Sequence, residues 1–210
     1  MKALILAGGE NKRIPIIKGF LEIGGKRIID TNIETLKAIF NHIIISTNNP
    51  WLYFHLGLPM IGDIFKYKGP MAGILSALIA LREEDIFVTP CDMPFIKLEL
   101  IRYIVDEWSK DMGNVSNITH YTPRKNGYDA AIPVFNGKSQ PLLGIYSKKV
   151  IKTMEETIKT SNRSLRDFIK KLKVLYITEE EVRKIDPSGM SFVNINTIED
   201  YREALKVQHM

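Results

Sequence analysis

The chain alternates short apolar runs with stretches whose apolar residues recur every three or four positions. Lys2 to Leu6 (KALIL) is a run that stops at Ala7-Gly8-Gly9, which is the length and flank of a buried strand. Ile28 to Phe40 sets Ile29, Ile33, Leu36, Ile39 and Phe40 on one helical face. His42 to Thr47 (HIIIST) predicts a second buried strand, and Met60-Ile61 a short third one. Gly69 to Leu81 predicts an apolar helix with Pro70 in its first turn, where a missing N–H is tolerated. Ile86 to Thr89 predicts a strand that ends at Pro90-Cys91-Asp92, and Ile96 to Trp108 a further helix.

The second half is less regular. Asp129 to Phe135, Leu142 to Tyr146, Val174 to Ile177 and Ser191 to Ile195 read as strands. Lys148 to Lys159, Leu165 to Leu172 and Glu199 to Val207 read as helices, and Asn114 to Gly127 is a polar stretch. Strands alternating with helices predict an α/β fold with a mostly parallel sheet and helices on both faces. Neither a repeat nor a linker interrupts the pattern, so a single domain over residues 1–210 is expected.

Composition narrows the function classes. The 210 residues are 45% hydrophobic and 25% charged, with a formal net charge of +5, the make-up of a globular enzyme with a modest attraction for anions. That charge fits an anionic partner, a small molecule or nucleic acid. Cys91 stands alone, which excludes an internal disulfide and a cysteine-based zinc site. No apolar run reaches the ~18 residues of a membrane helix. No signal-peptide layout precedes the first strand. A cytoplasmic enzyme is expected.

In open parallel sheets, ligands sit beyond the carboxyl ends of strands, and four features fall there. Ala7-Gly8-Gly9, followed by Lys12, Arg13 and Lys18, can turn backbone N–H groups and cations toward phosphate, or can be a plain tight turn. It matches neither GxGxxG nor GxxxxGK[ST]. Asp92, braced by Pro90 and Pro94, can hold Mg²⁺ or can hydrogen-bond its own turn. Asp63, ahead of Gly69-Pro70-Met71-Ala72-Gly73, can accept the paired N–H donors of a guanine edge or can be a surface acid. Asn194 and Asn196 would share one side of a strand, although Asn196 or Thr197 can instead cap the last helix.

Taken together, these motifs resemble a known family. Leu6-Ala7-Gly8-Gly9, Arg13, Lys18, Gly69-Pro70-Met71-Ala72-Gly73 and Cys91-Asp92-Met93-Pro94 are similar to nucleotidyltransferases that modify molybdenum cofactor. Gln140-Pro141-Leu142, Arg163-Ser164-Leu165 and Asn194-Ile195-Asn196-Thr197 narrow the resemblance to molybdenum cofactor guanylyltransferases of the MobA type. The resemblance implies a Rossmann-like sheet of the nucleotide-diphospho-sugar transferase type, with residues 1–110 as the nucleotide half and 111–210 as the acceptor half. It implies transfer of GMP from GTP to molybdopterin with Mg²⁺ as cofactor. Arg13, Lys18 and Asp92 would be catalytic, with Asp92 also the metal ligand. Leu6, Ala7, Gly8, Gly9, Lys18, Asn48, Asp63, Gly69 and Asp92 would bind nucleotide. Gln140, Arg163, Asn194 and Asn196 would bind the acceptor. It implies small-molecule partners, with no nucleic acid and no membrane. Proteins that deliver the cofactor, or molybdoenzymes that receive it, are further partners to consider. The chain has Pro15 and Ile17 where the family usually has glycine and aspartate. A sibling transferase (cytidylyl transfer to the same pterin, or nucleotidyl transfer to a sugar or cobamide phosphate) and a non-catalytic nucleotide- or partner-binding protein are the alternatives.

Overall fold

The structure, a computed structural model, describes residues 1–8, 17–65, 69–110, 127–160 and 164–207. Its strands are β1 (Lys2–Leu6), β2 (Glu22–Ile23), β3 (Lys26–Arg27), β4 (Ile43–Ser46), β5 (Met60–Ile61), β6 (Asp85–Pro90), β7 (Ala130–Phe135), β8 (Lys138–Ser139), β9 (Gly144–Ser147) and β10 (Val174–Ile177). Its α-helices are α1 (Ile28–Lys37), α2 (Pro50–Tyr53), α3 (Pro70–Ala80), α4 (Leu98–Lys110), α5 (Ile151–Lys159), α6 (Leu165–Ile169), α7 (Glu179–Ile185) and α8 (Ile198–Val207).

The main sheet runs β10-β7-β9-β6-β1-β4-β5. β1 pairs in parallel with both β4 and β6, and β9 enters antiparallel between β6 and β7. The mostly parallel sheet expected from the alternation is present. Strand residues alternate between its faces, as period-two geometry requires. Ala3, Ile5, Ile43, Ile45 and Phe87 pack with Ile29 and Leu36 of α1 and with Ile104 and Trp108 of α4. Leu4, Leu6, Ile44, Ile86 and Val88 pack with Ile74 and Leu78 of α3 and with Met154 and Ile158 of α5. A third cluster joins Leu21, Ile23 and Ile28 to Ile195 and Ala204. Tyr201 Oη donates to the Glu22 carbonyl at 2.7 Å. The end of the chain thus docks on the hairpin β2–β3 near its beginning.

Several expectations need correction. Residues 191–195 are not a strand: Met190–Phe192 is a single 3-10 turn, followed by extended chain without a ladder. Buried Asp186 organises this segment by accepting the Ser191 N–H at 2.7 Å, and Lys97 pairs with it at 3.2 Å. The helix expected to Leu172 stops at Ile169, because the chain must turn into β10. The helix expected to Phe40 ends at Lys37, yet Phe40 stays buried. Periodicity missed α2, which Pro50 at its first turn marks, and α7, which the T-x-x-E capping box of Thr178 and Glu181 starts. The polar stretch of residues 114–127 lies outside the described residues except for Gly127.

Candidate active site

The order of the strands creates the site. From β1 the chain crosses by α1 to β4 on one side, and later by α3 to β6 on the other. The helices α1 and α3 lie on opposite faces of the sheet. The crevice beyond the ends of β1 and β6 is therefore the place where an open α/β sheet receives ligands. A cavity of about 190 Å³ lies there. Leu6, Ala7, Gly8, Lys18, Asp92 and Pro70 are in its wall.

Backbone bonds hold the two strand ends. Cys91 N–H donates to the Leu6 carbonyl at 3.1 Å, and Ala7 N–H to the Ser46 carbonyl at 2.9 Å. Tyr53 Oη donates to the Ala7 carbonyl at 3.1 Å. Burial pushes the Tyr53 phenol well above its usual range, so it serves as a donor. At Gly8 a Cβ would meet nothing closer than the Ser46 carbonyl at 3.9 Å, so the backbone there is open to a ligand.

Lys18 begins a 3-10 turn, Lys18–Phe20. Its Nζ donates to Asp92 Oδ2 at 3.2 Å and to Asn196 Oδ1 at 2.7 Å. An ammonium has three donors, so among the described residues these two contacts leave one for a ligand. The Lys18 and Asp92 side chains are 22% and 19% exposed, shielded enough for charge to matter and open enough for a ligand to reach. Asp92 Oδ1 makes no hydrogen bond among the described residues. No three His, Cys, Asp or Glu side chains cluster as a metal cage among them either. One free carboxylate oxygen beside a phosphate-sized cavity suits a hard cation that takes its remaining ligands from water and phosphate. Burial, and then the charge of Asp92, pushes the Cys91 thiol up to about 12, so it is not a nucleophile at neutral pH.

The C-terminal arm meets Asp92 twice. Asn196 reaches it through Lys18, and the Ile195 N–H donates to the Asp92 carbonyl at 3.0 Å. Thr197 caps α8: its Oγ1 accepts the Asp200 N–H at 3.1 Å, and Asp200 accepts the N–H groups of Asn196 and Thr197. The Asn196 N–H, chief among these contacts, holds the Asp200 carboxyl below its usual range. Capping therefore belongs to Thr197, which leaves the Asn196 side chain for Lys18. The Asn194 Oδ1 is buried with no partner among the described residues. An orphaned buried acceptor is costly until a donor reaches it.

Asn48 and Asp63 form a reciprocal pair outside the cavity wall. Asn48 Nδ2 donates to Asp63 Oδ2, and the Asp63 N–H to Asn48 Oδ1, each at 2.8 Å. Burial raises the Asp63 pKa above its ordinary value, and the Asn48 bond opposes the rise without cancelling it. Gly69, at φ 70°, turns the chain into α3 in a backbone region that favours glycine. Gln140 is not drawn to these groups; its side chain donates to the Lys138 carbonyl at 3.3 Å. Gly9, Arg13, Pro15 and Arg163 lie outside the described residues. The sequence reading missed Asn49, Leu52 and Tyr53 in the cavity wall, and placed Leu142 only in the motif Gln140-Pro141-Leu142. The signal for Asn49, Leu52 and Tyr53 was the proline that starts their helix.

Residues 3–175 match the model of a family described as a MobA-like NTP transferase domain. A protein of Peptoclostridium acidaminophilum named a probable molybdenum cofactor guanylyltransferase is 34% identical over 207 residues, covering 98% of this chain and 88% of its own. One of the same name from Pelotomaculum thermopropionicum is 32% identical, covering 96% and 90%. The crystal structure of molybdopterin-guanine dinucleotide biosynthesis protein A from Archaeoglobus fulgidus is 27% identical and superimposes with a TM-score of 0.79, covering 100% of this chain and 99% of that one.

Proposed function

We propose a reaction from a plain premise: this chain belongs to the MobA-like NTP transferase family. It transfers GMP from GTP to the terminal phosphate of molybdopterin. An acceptor phosphate oxygen attacks the α-phosphorus in line and forms the new P–O bond. The bond from that phosphorus to the β-phosphate oxygen breaks, and pyrophosphate leaves. The protein contributes position and charge rather than a covalent intermediate.

The observation that carries this reading is the meeting of Lys18 and Asp92 in the wall of one cavity, with Asn196 bonded to the same ammonium. Lys18 and Arg13 offset the charge of the triphosphate and of departing pyrophosphate. Gly8 and Gly9 present backbone N–H groups to the same phosphates. Asp92 holds Mg²⁺. When bound, that ion supplies charge neutralisation at the transferring phosphoryl group. Leu6, Ala7, Asn48, Asp63 and Gly69 receive the nucleoside, with Asp63 accepting the N1–H and N2–H₂ donors of guanine. Asn194, Asn196 and Arg163 are assigned to the pterin. The orphaned Asn194 Oδ1 supports this side of the assignment, whereas Gln140, turned onto its own hairpin, receives little support.

The test is a transfer assay. The protein is incubated with GTP and molybdopterin, with and without Mg²⁺, and the products are identified by mass. The guanine dinucleotide and pyrophosphate are expected in equal amounts, and only with Mg²⁺. Bound GTP without either product would leave a nucleotide-binding protein, and the proposed reaction would be wrong.

A further inference from the structure

Ser76 is the hydroxyl residue in the otherwise apolar run Met71–Leu78 of α3, and it is 1% exposed. Alanine would serve a buried helix interior at least as well. Part of the hydroxyl's work is local: Oγ donates to the Ala72 carbonyl one turn back, at 2.7 Å. Its lone pairs remain available, and one of them crosses to another segment. The Ile64 N–H donates to Ser76 Oγ at 2.9 Å.

That contact falls on the residue next to Asp63. The Asp63 N–H is held by Asn48 Oδ1, and Asp63 Oδ2 by Asn48 Nδ2. Two consecutive N–H groups of an irregular loop are thus fixed from different sides, one by the end of β4 and one by α3. Gly73 completes the seat from the same helix. A Cβ there would lie 2.4 Å from Ser46 Oγ, 3.0 Å from Leu6 Cδ2 and 3.5 Å from Asp63 Oδ1. The helix can approach the strand ends and Asp63 because this position has no side chain.

We infer that Ser76 is a positioning residue for base choice: by holding the Ile64 N–H, it fixes the backbone from which Asp63 presents its carboxylate to the edge of guanine. The inference rests on the proposed role of Asp63. Discrimination by hydrogen bonds depends on placement, since a carboxylate shifted by about an ångström satisfies one donor of a pair and misses the other. Losing the tether therefore costs selectivity more than it costs phosphate binding.

The experiment compares dissociation constants for GTP and for ITP, whose base keeps N1–H and lacks the 2-amino group. Calorimetry is run on wild type, Ser76→Ala, Asp63→Asn and the double variant, with hydrogen exchange followed at the Ile64 amide. Wild type should favour GTP, and Asp63→Asn should lose that preference. Ser76→Ala should lower the ITP-to-GTP ratio by up to about tenfold, the scale of one hydrogen bond, and speed exchange at Ile64. The double variant should be no worse than Asp63→Asn, because the two residues act through one group. If Ser76→Ala does not fold, Ser76→Cys, nearly isosteric and a poor acceptor, carries the same comparison. A wild-type ratio in the folded serine variant, while Asp63→Asn loses selectivity, overturns the inference and spares the proposed role of Asp63. An unchanged ratio in Asp63→Asn overturns both.

Discussion

Asp92 and Asn196 meet on one ammonium group but arrive there by different physics. Asp92 stands two residues past β6, and the ladder of parallel hydrogen bonds between β1 and β6 sets its place. Asn196 belongs to no strand. The packing of α8 on the hairpin β2–β3 brings it in, through Ile195, Ala204 and the Tyr201 hydroxyl. A strand end is held by the core of the sheet, so it is rigid and local in the sequence pattern. The C-terminal arm is held by a small satellite cluster, so its place depends on residues roughly the whole chain apart. On the proposed function, chemistry is anchored on the strand ends and adjusted by the arm.

Variants can break this comparison. Asp92→Asn keeps the shape and removes the charge; transfer at limiting Mg²⁺ should fall about 100-fold or more. Near-normal turnover would mean that the strand end does not carry the chemistry. Lys18→Ala should weaken GTP about tenfold or more while changing guanosine little, because the lost bonds are charge-assisted bonds to phosphate. Calorimetry with both ligands checks this, and equal losses would take Lys18 away from the phosphates.

Asp63 allows a test by pH. Its pKa is raised above the ordinary 3.8, mainly by burial. A protonated carboxyl cannot accept both guanine donors, so GTP affinity should decline on acidification before ordinary carboxylates titrate, approaching about tenfold per pH unit. Stability carries the opposite sign. Because the folded-state value is the higher one, this group's contribution falls as pH rises from the ordinary value through the raised one. Asp63→Asn should abolish both trends, measured by calorimetry and by thermal melts across the same pH range. The smallest effect is expected at Asn196. Asn196→Ala frees Lys18 from the arm and leaves its pair with Asp92, so transfer should fall only about three- to tenfold. A loss equal to that of Asp92→Asn would reverse the ranking of strand end over arm.

The same contrast explains what was legible in the sequence. Ala7-Gly8, Asp63 and Cys91-Asp92 each follow an apolar run, so reading strands from periodicity also places their ends. The mostly parallel sheet follows from the same alternation. The arm differs from the strand expected of it because Phe192, Val193 and Ile195 make a short apolar run like a strand's, whereas a buried carboxylate at Asp186 folds its start into a turn. Asn196 was therefore assigned to the acceptor without its bond to Lys18, a contact across 178 positions that no local pattern carries. β9 was expected as a strand, but its antiparallel insertion between β6 and β7 is a property of the sheet and is not written in its own residues.

Base choice tests the central claim most directly. The protein is given molybdopterin, Mg²⁺ and an equimolar mixture of GTP, CTP, ATP and UTP, and the dinucleotide products are resolved by mass. The account predicts that the guanine dinucleotide dominates, and that Asp63→Asn evens the mixture. A wild-type enzyme that forms the cytosine dinucleotide as readily as the guanine one would contradict it.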